Sequence, residues 1–223
     1  MNRISSLFKP LKYIDKNVSV LVKTKGVINL MELTKIDHKN IYYPPGGILM
    51  WIIIFLELIT FGIALCVMAF YSKEEPEIFH NSRLQLNTMI GVTNTLVLIV
   101  SGYFMALSVR CFKKKNIQKS NLFLKLTMLG GLLFLGLKGF EYYYKIVAGL
   151  GVGHNTFYTF YWMLTGFHVI HVLVGLVILF SILIKLNKTA KNIAIEDFEA
   201  SAAFWHMCDL IWLLLFPIIY LLF

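Results

Sequence analysis

Phe157–Ile184 reads FYTFYWMLTGFHVIHVLVGLVILFSILI, 28 residues without one Asp, Glu, Lys or Arg. Crossing roughly 30 Å of hydrocarbon takes about 20 apolar residues in a helix, so this run is long enough to span a bilayer. Working outward, four more runs of that kind follow: Gly46–Tyr71, Leu86–Val109, Leu122–Tyr144 and Ala202–Phe223. Each run is bounded by a polar or charged stretch and has the length a helix needs to cross, so each is predicted to be a helix. The expected fold is all-α: an integral membrane protein of five transmembrane helices in a bundle, residues 46–223, preceded by a basic tail, residues 1–45. Composition agrees. Of 223 residues 58% are hydrophobic and 15% charged, with mean hydropathy +0.71, whereas soluble domains carry about 25% charged residues. Cys66, Cys111 and Cys208 stand apart with no CxxC spacing, which excludes a disulfide scaffold, a thiolate metal site and a haem-attachment motif.

The formal charge of +9 is distributed by topology. Sixteen Lys and Arg fall in the tail and the second and fourth connections, against three, Lys73, Arg83 and Lys145, on the other face. The positive-inside rule then predicts a cytoplasmic N-terminus and an outer C-terminus. No basic cluster interleaves with exposed aromatics, so nucleic acid is not an expected partner. The first apolar run starts near residue 46 and is too long for a signal-peptide core, so no cleavable signal is expected. In the tail, Asn17–Val22 alternates as a short strand would, Met31–Asn40 is polar, and Pro44-Pro45-Gly46-Gly47 breaks the chain before the first helix. Gly149, Gly151 and Gly153 lack the preceding strand and the Lys of a phosphate loop and read as a turn.

Ionisable groups inside the runs carry the functional information, because a charge at mid-bilayer costs about 2.5–3.5 kcal/mol on translocon scales. Glu57 lies near the middle of the first run. Lys138 and Glu141, His168 and His171, and His206 and Asp209 are each three residues apart and so share helix faces, with Trp205 and Trp212 on the last stripe. Lys138 with Glu141 reads as an ion pair near the outer headgroups, or as part of a proton path. His168 and His171 fit hydrogen bonds to neighbouring helices; haem or copper ligation is the competing use, with no Met or Cys to complete a copper set. His206 and Asp209 read as an orienting hydrogen bond across a helix interface. Glu57, without a cation in its own run, is expected to be protonated, or paired across a helix or with lipid.

Glu141-Tyr142-Tyr143-Tyr144, the GFHVIHV motif from Gly166 to Val172 with Gly175, and Phe198-Glu199-Ala200 followed by WHMCDLIW from Trp205 to Trp212 occur in that order. With Trp51 and Glu57 in the first run and Leu86-Asn87-Thr88 opening the second, the chain from about residue 45 onward resembles subunit III of the haem-copper terminal oxidases. The resemblance implies a subunit with no redox centre, catalytic residue or metal of its own, packed against subunit I, which carries the haems and copper. It would stabilise subunit I and support proton uptake and sustained turnover in a proton-pumping cytochrome c oxidase of a bacterial inner membrane. Subunit II, other respiratory subunits and bound phospholipid are the remaining implied partners. Glu57 matches the family's membrane-embedded carboxylate, at a lipid or subunit I contact. Lys138, Glu141, His168, His171, Glu199, Trp205, His206 and Asp209 would form a helix-packing network.

Two departures stand out. The family's usual form has seven spans and this chain five, its first aligning with the family's third, so the two-helix wall of the family's lipid cleft is missing. Lys138 stands where mitochondrial-type sequences have Gln. Alternatives are an accessory subunit of a nitric oxide reductase, subunit III of a quinol oxidase or, outside the family, a haem-binding membrane cytochrome.

Overall fold

The computed structural model describes residues 47–189 and 193–223. The readings of the tail therefore lie outside the described residues, apart from Gly47. Six helices follow: α1 Ile48–Glu74, α2 Pro76–Leu84, α3 Thr88–Lys113, α4 Ile117–Val147, α5 Thr156–Thr189 and α6 Ile195–Tyr220. Five of them are long and apolar enough to cross a membrane. Each long helix overruns at least one end of its apolar run; α6 begins seven residues before the predicted Ala202, because helical hydrogen bonding continues past the hydrocarbon into polar sequence.

Local signals explain the boundaries. Asn87 caps α3 by accepting from the backbone N–H of Met89 and Ile90 at 3.1 and 3.3 Å, and Asn116 caps α4 by accepting from Lys119. The end of α4 closes with Leu150 N–H donating to Lys145 O and Gly149 N–H to Ile146 O, Gly149 holding φ at 75°. That left-handed closure suits a residue without Cβ, so the glycine run is a turn. The short α2 lies in what the sequence suggested was a plain connection. Pro76 starts it without an amide to satisfy, and it buries Phe79 and Ser82.

Helices α3 to α6 form a four-helix ring in which α3 packs on α4, α4 on α5, α5 on α6 and α6 back on α3. Helix α1 lies outside it against α5 and α6. Small residues set the closest approaches. Ser101 Oγ donates to Thr127 O and Ser108 Oγ to Ser120 O, at 2.9 and 2.8 Å, which fixes the antiparallel register of α3 and α4. Without lipid-exclusion energy between helices, such small and hydroxylated residues hold membrane bundles together.

Candidate functional site

The ring's interior is a stack of layers, most polar near Tyr220. On α4, Lys138 and Glu141 face inward and are 1% and 3% exposed. Lys138 Nζ donates to Glu141 Oε2 at 3.0 Å, to Tyr161 OH at 3.2 Å and to Tyr220 OH at 2.8 Å, using all three of its hydrogens. Tyr220 OH in turn donates to Glu141 Oε1 at 2.7 Å. Four rings, those of Tyr142, Tyr161, Trp212 and Tyr220, surround the ammonium at 4.9–5.4 Å. The pair expected beside headgroups is thus sealed inside protein, because α5 and α6 each bring a tyrosine to it. Lys145, one turn beyond, is also buried and lies over Tyr158 and Tyr161.

The next layer holds His168. It is fully buried, with its ring centroid 5.6 Å from that of Phe134 in an edge-on arrangement and 5.3 Å from that of the tilted Trp212 ring. Neither ring nitrogen meets a hydrogen-bond partner among the described residues, so the expected cross-helix hydrogen bond is not made; aromatic packing positions this imidazole. Trp212 Nε1 donates to Thr95 Oγ1 at 3.0 Å. Below it, Trp205 Nε1 donates to Ser101 Oγ at 3.1 Å, and its ring fills the space over Gly131 and Gly175, where an added Cβ would come within 2.5 and 3.0 Å.

His171 points out of the ring to α1. Its Nδ1 lies 2.9 Å from Phe167 O, and its Nε2 lies 3.2 Å from Glu57 Oε2, off the line of an ideal hydrogen bond. A carbonyl only accepts, so Nδ1 carries hydrogen and Nε2 faces the carboxyl. One proton at this contact, on either side, leaves the pair with no net charge, which is the inexpensive arrangement in hydrocarbon. Phe61 and Phe167 flank the imidazole at 5.8 and 4.7 Å.

Towards Lys113 the wall opens. His206 Nδ1 and Asp209 Oδ2 are 3.5 Å apart on α6 itself, with His206 45% exposed, so this contact lies within one helix; what crosses the interface is the Asp209 carboxylate pressed on Gly102 of α3. Glu199 pairs with Lys113 and thereby ties the start of α6 to the end of α3. Between α1, α3 and α6 lies a cavity of about 540 Å³ walled by Trp51, Leu58, Val109, Ala202 and Leu210, with the Lys113–Glu199 pair and His206 on its lining.

Sequence reasoning missed Tyr161, Tyr220, Lys145, Asn94, Thr95 and Ser101. Hydroxyls at helical spacing in α3, and glycines opposite a tryptophan, were the available signals. Tyrosines near helix ends read equally well as headgroup anchors, so nothing distinguished Tyr220.

The fold and these contacts define an integral membrane subunit whose ionisable side chains tie helix to helix; among the described residues no three His, Cys, Asp or Glu gather as a metal site. The sequence profile of the family cytochrome c oxidase subunit III matches residues 82–222, and the chain belongs to that family. It is similar to a cytochrome bo(3) ubiquinol oxidase subunit 3 of Buchnera aphidicola, 27% identical, covering 77% of this chain and 84% of that protein. A cytochrome c oxidase subunit 3 of Rhipicephalus sanguineus is 33% identical over 59% of this chain and 50% of its own length. A protein of Aeropyrum pernix named heme-copper oxidase subunit I+III is 26% identical over 94% of this chain and 28% of its own.

Proposed function

We propose that this chain is the non-redox subunit III of a proton-pumping terminal oxidase, with cytochrome c oxidase the leading reading, in a bacterial plasma membrane. The observation that carries this is the family match across α3 to α6, the helices that build the polar core. A relative in which the two subunits are named as one protein supports subunit I as the partner. Subunit II and other respiratory subunits are the further neighbours. Haem and copper reside in those partners in this reading. His171 lies against Phe167 O and Glu57, and His168 packs between Phe134 and Trp212, contacts that support a helix-packing role for both over a stand-alone cytochrome.

The cavity beside α1 suits phospholipid. Its walls are apolar and its charged pair lies at one end, as an amphiphile requires, and Lys114 and Lys115 follow in the same connection. Charge bias supports a cytoplasmic N-terminus and an outer Phe223; a reporter fused after Phe223 would be periplasmic and one after Lys114 cytoplasmic.

A quinol oxidase is the second reading, favoured by the Buchnera relative, which covers more of this chain than the Rhipicephalus protein does. Affinity purification of the tagged chain from its own membranes tests both. A haem-copper subunit I should co-purify, and oxygen consumption with reduced cytochrome c or with quinol separates the donors. Recovery of a nitric oxide reductase, or of haem stoichiometric with the isolated chain, would overturn the proposal.

A further inference from the structure

The layer between the Lys138 cluster and Trp205 contains polar atoms that the protein leaves unsatisfied. Asn94 on α3 is fully buried and both its amide atoms lack partners, and His168 on α5 is fully buried with both ring nitrogens in the same state. They belong to one level of the ring. The register set by Ser101–Thr127 and Ser108–Ser120 puts Asn94 opposite Phe134, and Phe134 touches both His168 and Trp212, at 5.6 and 4.9 Å. Trp212 is anchored on α3 at Thr95, the residue after Asn94. Asn94, Phe134, His168 and Trp212 therefore form one cross-section, with one residue from each helix.

Buried polar groups in native proteins are almost always hydrogen-bonded, and in a membrane interior an unmet group is especially costly. Four such atoms in a single layer are too many to leave dry. The neighbouring residues offer no relief: Lys138 has committed its three hydrogens, and Trp212 has given its only one to Thr95. We propose that this layer is an internal hydration site, in which ordered water molecules take up the hydrogen bonds of His168 and Asn94. A buried water makes about three hydrogen bonds and needs donors and acceptors of both kinds; an amide and an imidazole supply both. The site sits at the inner end of a polar column. Tyr158 donates to Gln85 at 3.0 Å and Asn155 to Ser82 at 2.8 Å near the Tyr220 end, followed by Lys145 and then the Lys138 cluster. Trp205, wedged over Gly131 and Gly175, closes the column below.

Two measurements on the intact purified complex test this, whatever partner subunit it contains. A cryo-EM map fine enough to show ordered solvent should contain density within hydrogen-bond distance of the His168 ring nitrogens and of the Asn94 amide. A map that shows water elsewhere in this bundle but none here, with the two side chains turned onto protein partners, overturns the proposal. The second uses His168→Phe and Asn94→Leu, which keep volume and remove the ligands of the water. Each should shorten the half-time for loss of the subunit from the warmed complex by about tenfold, as removing one partner of a buried hydrogen bond does. If the layer is dry, the same substitutions relieve an unmet polar group, and an unchanged or longer half-time contradicts the hydration site.

Discussion

Helices α6 and α1 are alike in length, 26 and 27 residues, and both are strongly apolar, yet thirteen side chains of α6 are buried against three, Phe61, Leu65 and Met68, of α1. Ile52, Phe55, Leu56, Ile59 and Ile63 of α1 are all more than half exposed. In lipid, apolarity says that a helix can span; which face meets protein is decided by small residues, hydroxyls and paired charges. α6 carries Trp205, Trp212 and Tyr220, each hydrogen-bonded to a side chain on another helix. α1 carries Glu57 and, beyond Phe61, Leu65 and Met68, leaves most of its apolar surface uncovered among the described residues.

If that contrast is right, damage inside the ring should cost far more than damage on α1. The largest effect is expected for Glu141→Leu, which strands Lys138 without its carboxylate; removing one member of a buried pair costs about 3–5 kcal/mol. The subunit should then be missing from the purified complex, with Glu141→Gln, which keeps an acceptor, less severe. Normal assembly of Glu141→Leu would show that the pair is not a lock.

Gly131→Ala comes next. Its methyl would meet Trp205 at 2.5 Å, whereas Gly136 and Gly139, on the same helix, have nothing within 4 Å. Overpacking of this kind costs about 1–3 kcal/mol, so thermal retention of the subunit should fall for Gly131→Ala and stay level for Gly136→Ala and Gly139→Ala. On α1, Leu56→Ala and Ile59→Ala remove exposed side chains and should change the ring's stability by less than about 0.5 kcal/mol. A large loss there, in the isolated chain, would mean that α1 is structural after all.

The sequence made the spans legible because length and apolarity alone define them, and Phe157–Ile184 is enough to reveal the class. The pairs at three-residue spacing were also visible, since one helix turn brings them to one face. Their partners were not. Tyr161 and Tyr220 reach Lys138 from helices 23 and 82 residues away in sequence, and no local pattern encodes such a meeting. The pairing of Glu57 with His171 was open for the same reason: a carboxyl in a span announces the need for a partner without naming it. The helix α2 hid in a polar connection because nine residues with two inward side chains leave little periodicity to read.

The contrast also separates support from chemistry, and Glu57 is where the two readings diverge. Glu57→Gln keeps shape and hydrogen-bonding capacity and removes the carboxyl that faces His171. The variant complex should assemble fully and consume oxygen at the wild-type initial rate. It should lose activity faster over prolonged turnover. A fully assembled Glu57→Gln complex that is inactive from its first turnover would make Glu57 an obligatory proton carrier and contradict the account of this chain as a supporting subunit.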